Sequence, residues 1–94
     1  MKVQNMTNGK GRAIPNQILI YDSEKGIEYF QSYQTIIAKK VHDPHLGRMI
    51  YLDRDKWDYS TTTGKYRNQF LGENKKETEK KIKNGEYILT DLNN

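Results

Sequence analysis

The chain has no cysteine, only two prolines and no long apolar run, and each absence removes a class of protein. Without cysteine there is no disulfide framework, no thiolate nucleophile and no cysteine-based metal set. No window approaches the roughly 18 consecutive apolar residues that cross a membrane, and the opening MKVQNMTNGKGRAIPNQ lacks the apolar core of a signal peptide. A soluble protein with no membrane role is the expectation. Hydrophobic residues make up only 34% of the 94, so one small domain with a thin core is expected, in which every large apolar side chain counts.

What is present in quantity is tyrosine and lysine. Seven Tyr stand beside two Phe and one Trp. Tyr buries its ring while its hydroxyl reaches water or a partner, which suits both a shallow core and a contact face, and it is expected to carry much of the core. The formal charge of +4 gathers in three places: Lys2, Lys10 and Arg12; Lys65 with Arg67; and KKETEKKIK over Lys75 to Lys83. An anionic partner is compatible with this distribution, and so is a solvated basic surface that binds nothing anionic.

Residues 1–15 are polar and broken by Asn8, Gly9 and Gly11, which reads as an N-terminal arm or a loop laid on the domain. The domain proper spans 16–94. QILIY (17–21), IEYFQ (27–31), TIIAKKV (35–41) and MIYL (49–52) read as strands, separated by the turn chemistry of DSEKG and HDPHLG. Leu19 beside Ile20, and Ile36 beside Ile37, break strict alternation and imply that parts of both sheet faces are contacted. Ser60 or a neighbouring Thr caps a helix with Tyr66 and Phe70 on one face and Gly72 as its stop. Asn74 caps a second helix to Lys83, stopped by Asn84 and Gly85, with Thr78 and Ile82 turned inward and Glu77–Lys81 and Glu79–Lys83 as surface pairs. Tyr87 to Leu89 returns as a short strand or an apolar tail. The fold class is α+β: an antiparallel meander of about four strands with one or two short helices packed on one face.

The constellations that carry reaction chemistry fail on residue type or spacing. TTTGK is not a phosphate loop, because Tyr59 stands where the first glycine belongs and Tyr66 where Ser or Thr must follow Lys65. Asp53, Asp55 and Asp58 resemble a calcium loop, yet Trp57 takes its fifth ligand position and Asp58 replaces its turn glycine. His42, Asp43 and His45 are read as a polar turn around Pro44, since no further His or Cys completes a zinc set. No catalytic residue, metal or cofactor is expected, and the chain is read as a non-enzyme.

The segment WDYSTTTGKYRNQFLG (57–72) offers binding chemistry instead. A helix N-terminus presents free N–H groups, and Tyr59, Ser60, Thr62, Thr63, Lys65 and Arg67 gather an aromatic ring, hydroxyls and cations around it as the candidate site. The same residues also have structural uses: Ser60 as cap, a Thr bonded to backbone, Arg67 paired with a nearby Asp. Gln31, Ser32 and Tyr33, with Gln34 beside them after the second strand, form a secondary candidate patch or merely a corner. Tyr and Trp as stacking platforms with Lys and Arg on phosphates would make a nucleic-acid binder, and hydroxyls at the helix start would suit a small phosphorylated signal molecule.

The combination of NQ before the first strand, YFQSY with a following IIA, WDYSTTTGKYRNQFLG, the lysine-rich segment and GEYILTDLN resembles a family of small, uncharacterised bacteriophage proteins from about Asn16 onward. The resemblance implies the cytoplasm of an infected bacterium and a non-enzymatic accessory role, binding a host or anti-phage defence protein. It implies no mechanism.

Overall fold

β-branched and aromatic runs recur through the first half of the chain, and in the computed structural model of residues 1–94 they lie side by side in chain order. The strands are β1 (Lys2–Thr7), β2 (Ala13–Asp22), β3 (Ile27–Ser32), β4 (Thr35–Asp43), β5 (Gly47–Asp53) and β6 (Tyr87–Thr90). Neighbours from β1 to β5 are antiparallel, as short turns require. β6 instead runs parallel to β5, because the helices α1 (Thr61–Leu71) and α2 (Lys75–Lys83) intervene and carry the chain back across the sheet.

The sheet therefore has six strands where four were expected. One addition comes from the segment read as an arm or loop: Lys2–Thr7 pairs with β2, and the domain's regular structure includes it. Its polarity concealed it, since an edge strand exposed along most of its length needs no apolar alternation; only Met6 is buried. Pro15 sits inside β2 without cost because the ladder shifts register there, between the pairs Asn5 with Ile18 and Thr7 with Ala13. The other addition is Tyr87–Thr90, which is a strand and not a tail.

Local capping follows the expected chemistry. Ser60 Oγ accepts from Thr63 N at 3.1 Å to start α1, and Gly72, at a left-handed φ of 72°, ends it by donating its N–H to Asn68 O. Asn74 and Glu77 form a reciprocal capping box on α2. The two surface pairs foreseen on α2 are not made: Glu77 is occupied by the capping box, and Lys81 reaches Glu73 at 2.8 Å.

Both helices pack on one face of the sheet. Phe30, Ala38, Ile50 and Leu52 meet Phe70 and Leu71 of α1, with the Phe30 and Phe70 rings 5.8 Å apart. Each of these Phe, Ile and Leu side chains contributes about 1.5–3 kcal/mol when fully buried. Of the seven tyrosines only Tyr87 joins this buried cluster, so tyrosine does not carry the core as composition suggested. A polar clamp secures the second helix: Glu73 accepts from Thr78 Oγ1 (2.6 Å), Lys81 Nζ (2.8 Å) and Tyr87 Oη (2.6 Å), tying α2 to β6. Burial alone would raise the Glu73 carboxyl, but its three donors outweigh that and hold it below its ordinary range.

Candidate functional site

Two segments singled out in the sequence, Gln31 to Tyr33 and Tyr59 to Arg67, meet at the N-terminal end of α1. The contact is a chain of hydroxyls. Ser60 Oγ lies 3.2 Å from Thr63 Oγ1, which lies 3.1 Å from Ser32 Oγ on the end of β3. Ser32 and Thr63 are buried, so their hydroxyls are committed to holding helix and strand together.

Just beyond Ser32 the backbone bends sharply. Tyr33 has φ 57° and Asn16 φ 65°, both left-handed, and Tyr33 N donates to Asn16 O at 2.7 Å. Asn adopts this conformation readily; Tyr does so at a cost of about 1–2 kcal/mol. The bend carries the Tyr33 ring into solvent, 58% exposed, while Tyr59, before the α1 cap, is 64% exposed. Both line one cleft of about 530 Å³, together with Ser32, Ser60, Thr63 and the neighbouring Asn16, Gln34 and Thr35. No ionisable side chain other than the two phenols borders it. Sequence reading missed Asn16 and Thr35; the tolerance of Asn for a left-handed turn just before the first strand run was the available signal.

The remaining candidate residues divide. Thr62 and Lys65 are exposed on the first turns of α1, with Lys65 Nζ 5.4 Å from the Tyr66 ring centre. Gln31 lies on the opposite face of the sheet from Ser32, since side chains alternate along β3, and its amide donates to Tyr33 O. It is not part of the cleft.

Arg67, a candidate site residue in the sequence, is 1% exposed, and its alternative use, pairing with a nearby Asp, is the one made, with Asp58 at 3.3 Å. Four residues after Thr63 and three before Phe70, it lies on the stripe that α1 turns inward. Its Nη1 donates to Trp57 O (2.8 Å) and Asp58 Oδ1 (3.3 Å), its Nη2 to Asn68 Oδ1 (3.0 Å), and the guanidinium stands 5.2 Å from the Trp57 ring. Nε alone has no protein partner. Arg67 locks the Trp57–Asp58 loop to the helix and offers a partner nothing.

A second cavity, of about 620 Å³, lies beside α1 and includes Asp58, Lys65, Arg67 and Lys75. Asp58 already holds its cations: Lys75 Nζ at 2.7 Å and Arg67 Nη1 at 3.3 Å. The hydrogen bond from Lys75 holds the Asp58 carboxyl below its ordinary range, and the same bond raises the Lys75 ammonium. A phosphate entering here would have to compete with a resident carboxylate.

Two further acids are also committed. Asp53 is buried and accepts from Leu92 N, Asn93 Nδ2 and Lys56 N, stapling the C-terminal residues to β5. Asp43 Oδ1 accepts from His45 N and Leu46 N, which makes the histidine segment a closed turn and holds the Asp43 carboxyl below its ordinary range. No group of three or more His, Cys, Asp or Glu is placed to share a metal ion.

Residues 1–86 match the profile of a family described as a family of unknown function (DUF8033). No curated protein and no solved structure matches the chain.

Proposed function

The chain belongs to that family of unknown function (DUF8033), so its activity has to be read from its own surfaces, and we propose that it is a non-enzymatic protein-binding module. Its contact surface is the cleft between Tyr33 and Tyr59, with Ser60 and Thr63 on its wall, while Thr62 and Lys65, exposed on the first turns of α1, lie outside it. One observation carries this reading: two of the most exposed large rings flank a single uncharged, hydroxyl-lined cleft. Tyrosine anchors of this kind bury much area with little side-chain entropy lost, and they are enriched among the residues that dominate protein–protein binding. Holding Tyr33 in a left-handed conformation costs stability that the fold alone has no need to spend, which supports a use for its side chain.

The resemblance to small bacteriophage proteins supports the setting. In this proposal the protein is an accessory factor of infection that engages a host or anti-phage defence protein in the bacterial cytoplasm. A nucleotide or a single strand of nucleic acid stacked on the same rings is the second reading, favoured by the free N–H groups of α1 beside Tyr59. It is the weaker one, because two of the nearest cations, Arg67 and Lys75, are held by Asp58.

The test is capture from bacterial lysate by the tagged full chain, compared with Tyr33→Gly and Tyr59→Ala. The expected result is one protein retained by the wild type and lost by both variants, whose melting temperatures stay within a few degrees. Retention by both variants would remove the cleft from the account. A mobility shift with single-stranded DNA at low salt, fading steeply as salt is added, would transfer the site to the second reading.

A further inference from the structure

An asparagine followed by glycine is open to attack on its side-chain carbonyl by the next backbone nitrogen, because glycine has no side chain to shield that nitrogen. The chain has two such pairs, Asn8–Gly9 and Asn84–Gly85, and both are exposed. Their hydrogen bonds set them apart. At Asn84 the attacking group is engaged, since Gly85 N donates to Ile82 O at 3.3 Å, and the leaving group is held, with Nδ2 on Glu86 Oε1 at 3.0 Å. At the other pair, Gly9 N and Asn8 Nδ2 have no protein partner, and no atom lies within 4 Å of where a Cβ on Gly9 would stand.

Asn8 lies in the turn that joins β1 to β2, and its Oδ1 accepts from Lys10 N at 2.8 Å and from Arg12 N at 3.0 Å. A side-chain oxygen drawn onto the amide two residues ahead makes an Asx turn, which folds Cγ over the intervening Gly9 nitrogen. The same two N–H groups stand where donors must stand to stabilise an oxyanion forming on Oδ1. The side chains of Lys10 and Arg12 add positive charge to this short turn, which favours the deprotonated nitrogen that Gly9 must supply.

We propose that Asn8 is a self-modifying site, at which the folded turn converts the amide to a carboxylate with water as the only co-reactant. Gly9 N gives its proton to hydroxide and bonds to Cγ, while the carbonyl electron pair moves onto Oδ1 between the two N–H groups. The pair returns as the bond from Cγ to Nδ2 breaks, and Nδ2 takes a proton from water and leaves as ammonia. Water then opens the succinimide ring at either carbonyl, leaving aspartate or isoaspartate at position 8. Either product lowers the formal charge of +4 by one. Aspartate keeps the backbone and still accepts from both amides. Isoaspartate lengthens the main chain by one carbon inside the turn closed by Asn8 N to Arg12 O (2.9 Å) and Gly11 N to Asn8 O (3.0 Å), and so loosens β1 beside its last pair, Thr7 with Ala13.

Incubation of the full chain at mildly alkaline pH, followed by peptide mass spectrometry that separates isoaspartate from aspartate, tests this. Each asparagine is compared with itself in guanidinium chloride, where the turn and α2 are gone. Asn8 is expected to convert in the folded chain at least as fast as in the unfolded one, while folding slows Asn84 by about tenfold through its two committed groups. Slower conversion of Asn8 on folding, or equal folded rates at the two sites, overturns the proposal. Asn8→Ser keeps a turn-forming oxygen but cannot cyclise, and it is expected to abolish the drift toward acidic forms on ion exchange; the same drift in this variant overturns the assignment to Asn8. Amide hydrogen exchange reads the consequence. The isoaspartate fraction is expected to exchange the amides of Lys2–Thr7 faster than Asn8→Asp, which has the same charge on a normal backbone. Equal exchange in the two overturns the loosening of β1.

Discussion

Replacing Arg67 with alanine separates the structural from the binding account of α1. The guanidinium is 1% exposed and serves Trp57 O, Asp58 and Asn68. Asp58 keeps Lys75 at 2.7 Å, so the cost falls mainly on Trp57 O and Asn68 Oδ1, which lose their donor at about 1–3 kcal/mol each. Part of this is offset: Nε has no protein partner, and removing an unsatisfied buried donor returns about 1–3 kcal/mol. Taking the middle of each range, about 4 less about 2, the net expectation is a loss of about 2 kcal/mol, a large share of the roughly 5–15 kcal/mol that holds a domain of this size. In thermal unfolding followed by circular dichroism, that loss corresponds to a drop of roughly 8–16 °C. Arg67→Lys keeps the charge but cannot span Trp57 O and Asn68 Oδ1 at once, so it should recover less than half of the loss. An Arg67→Ala protein that melts with the wild type but no longer captures its partner would refute this reasoning and return Arg67 to the binding surface.

Three further outcomes are expected. Tyr33→Gly relieves a left-handed residue while keeping its backbone bonds, so urea unfolding should show stability unchanged or raised by up to about 1 kcal/mol. Gly64→Ala should raise stability by about 0.5–1 kcal/mol, because the new Cβ meets Arg67 Nη2 at an ordinary 3.5 Å and alanine favours the helix; a loss would mean that the glycine is needed for close approach. The Tyr87 hydroxyl is pushed up to about 12 by burial and by its bond to Glu73. The folded state therefore keeps this proton longer than the unfolded chain, so the stabilisation is whole below pH 10 and lost as pH rises toward 12. At 1.36 kcal/mol per pH unit the loss is at most about 2.7 kcal/mol, and the stability profile of Tyr87→Phe should lack it.

Much of the local structure was legible because its causes are local. Ser60, Gly72 and the Asn74–Glu77 pair satisfy helix ends within a few residues, and the strand runs between DSEKG and HDPHLG announce themselves by composition. β1 was not legible: an edge strand pairs through its backbone, and KVQNMT needs no apolar face to do so. The candidate site was half legible. Tyr59, Ser60 and Thr63 could be named from a helix start, but the junction with Tyr33 depends on a sharp bend facing Asn16. Arg67 was misplaced because one charged residue on a helix reads as solvent-facing until the depth of its stripe is known.

By itself the sequence determined both helices and four of the six strands, the caps, the absence of thiol chemistry and the failure of the phosphate, calcium and zinc patterns, all of which depend on residue identity and short spacing. Only the tertiary structure decided which of two adjacent residues faces the helices and which faces out. That assignment sets Ser32 against Thr63, buries Arg67 and leaves Tyr29 and Tyr51 uncovered. It follows from strand register and from the direction in which α1 crosses β3, quantities shared between segments that no single segment encodes.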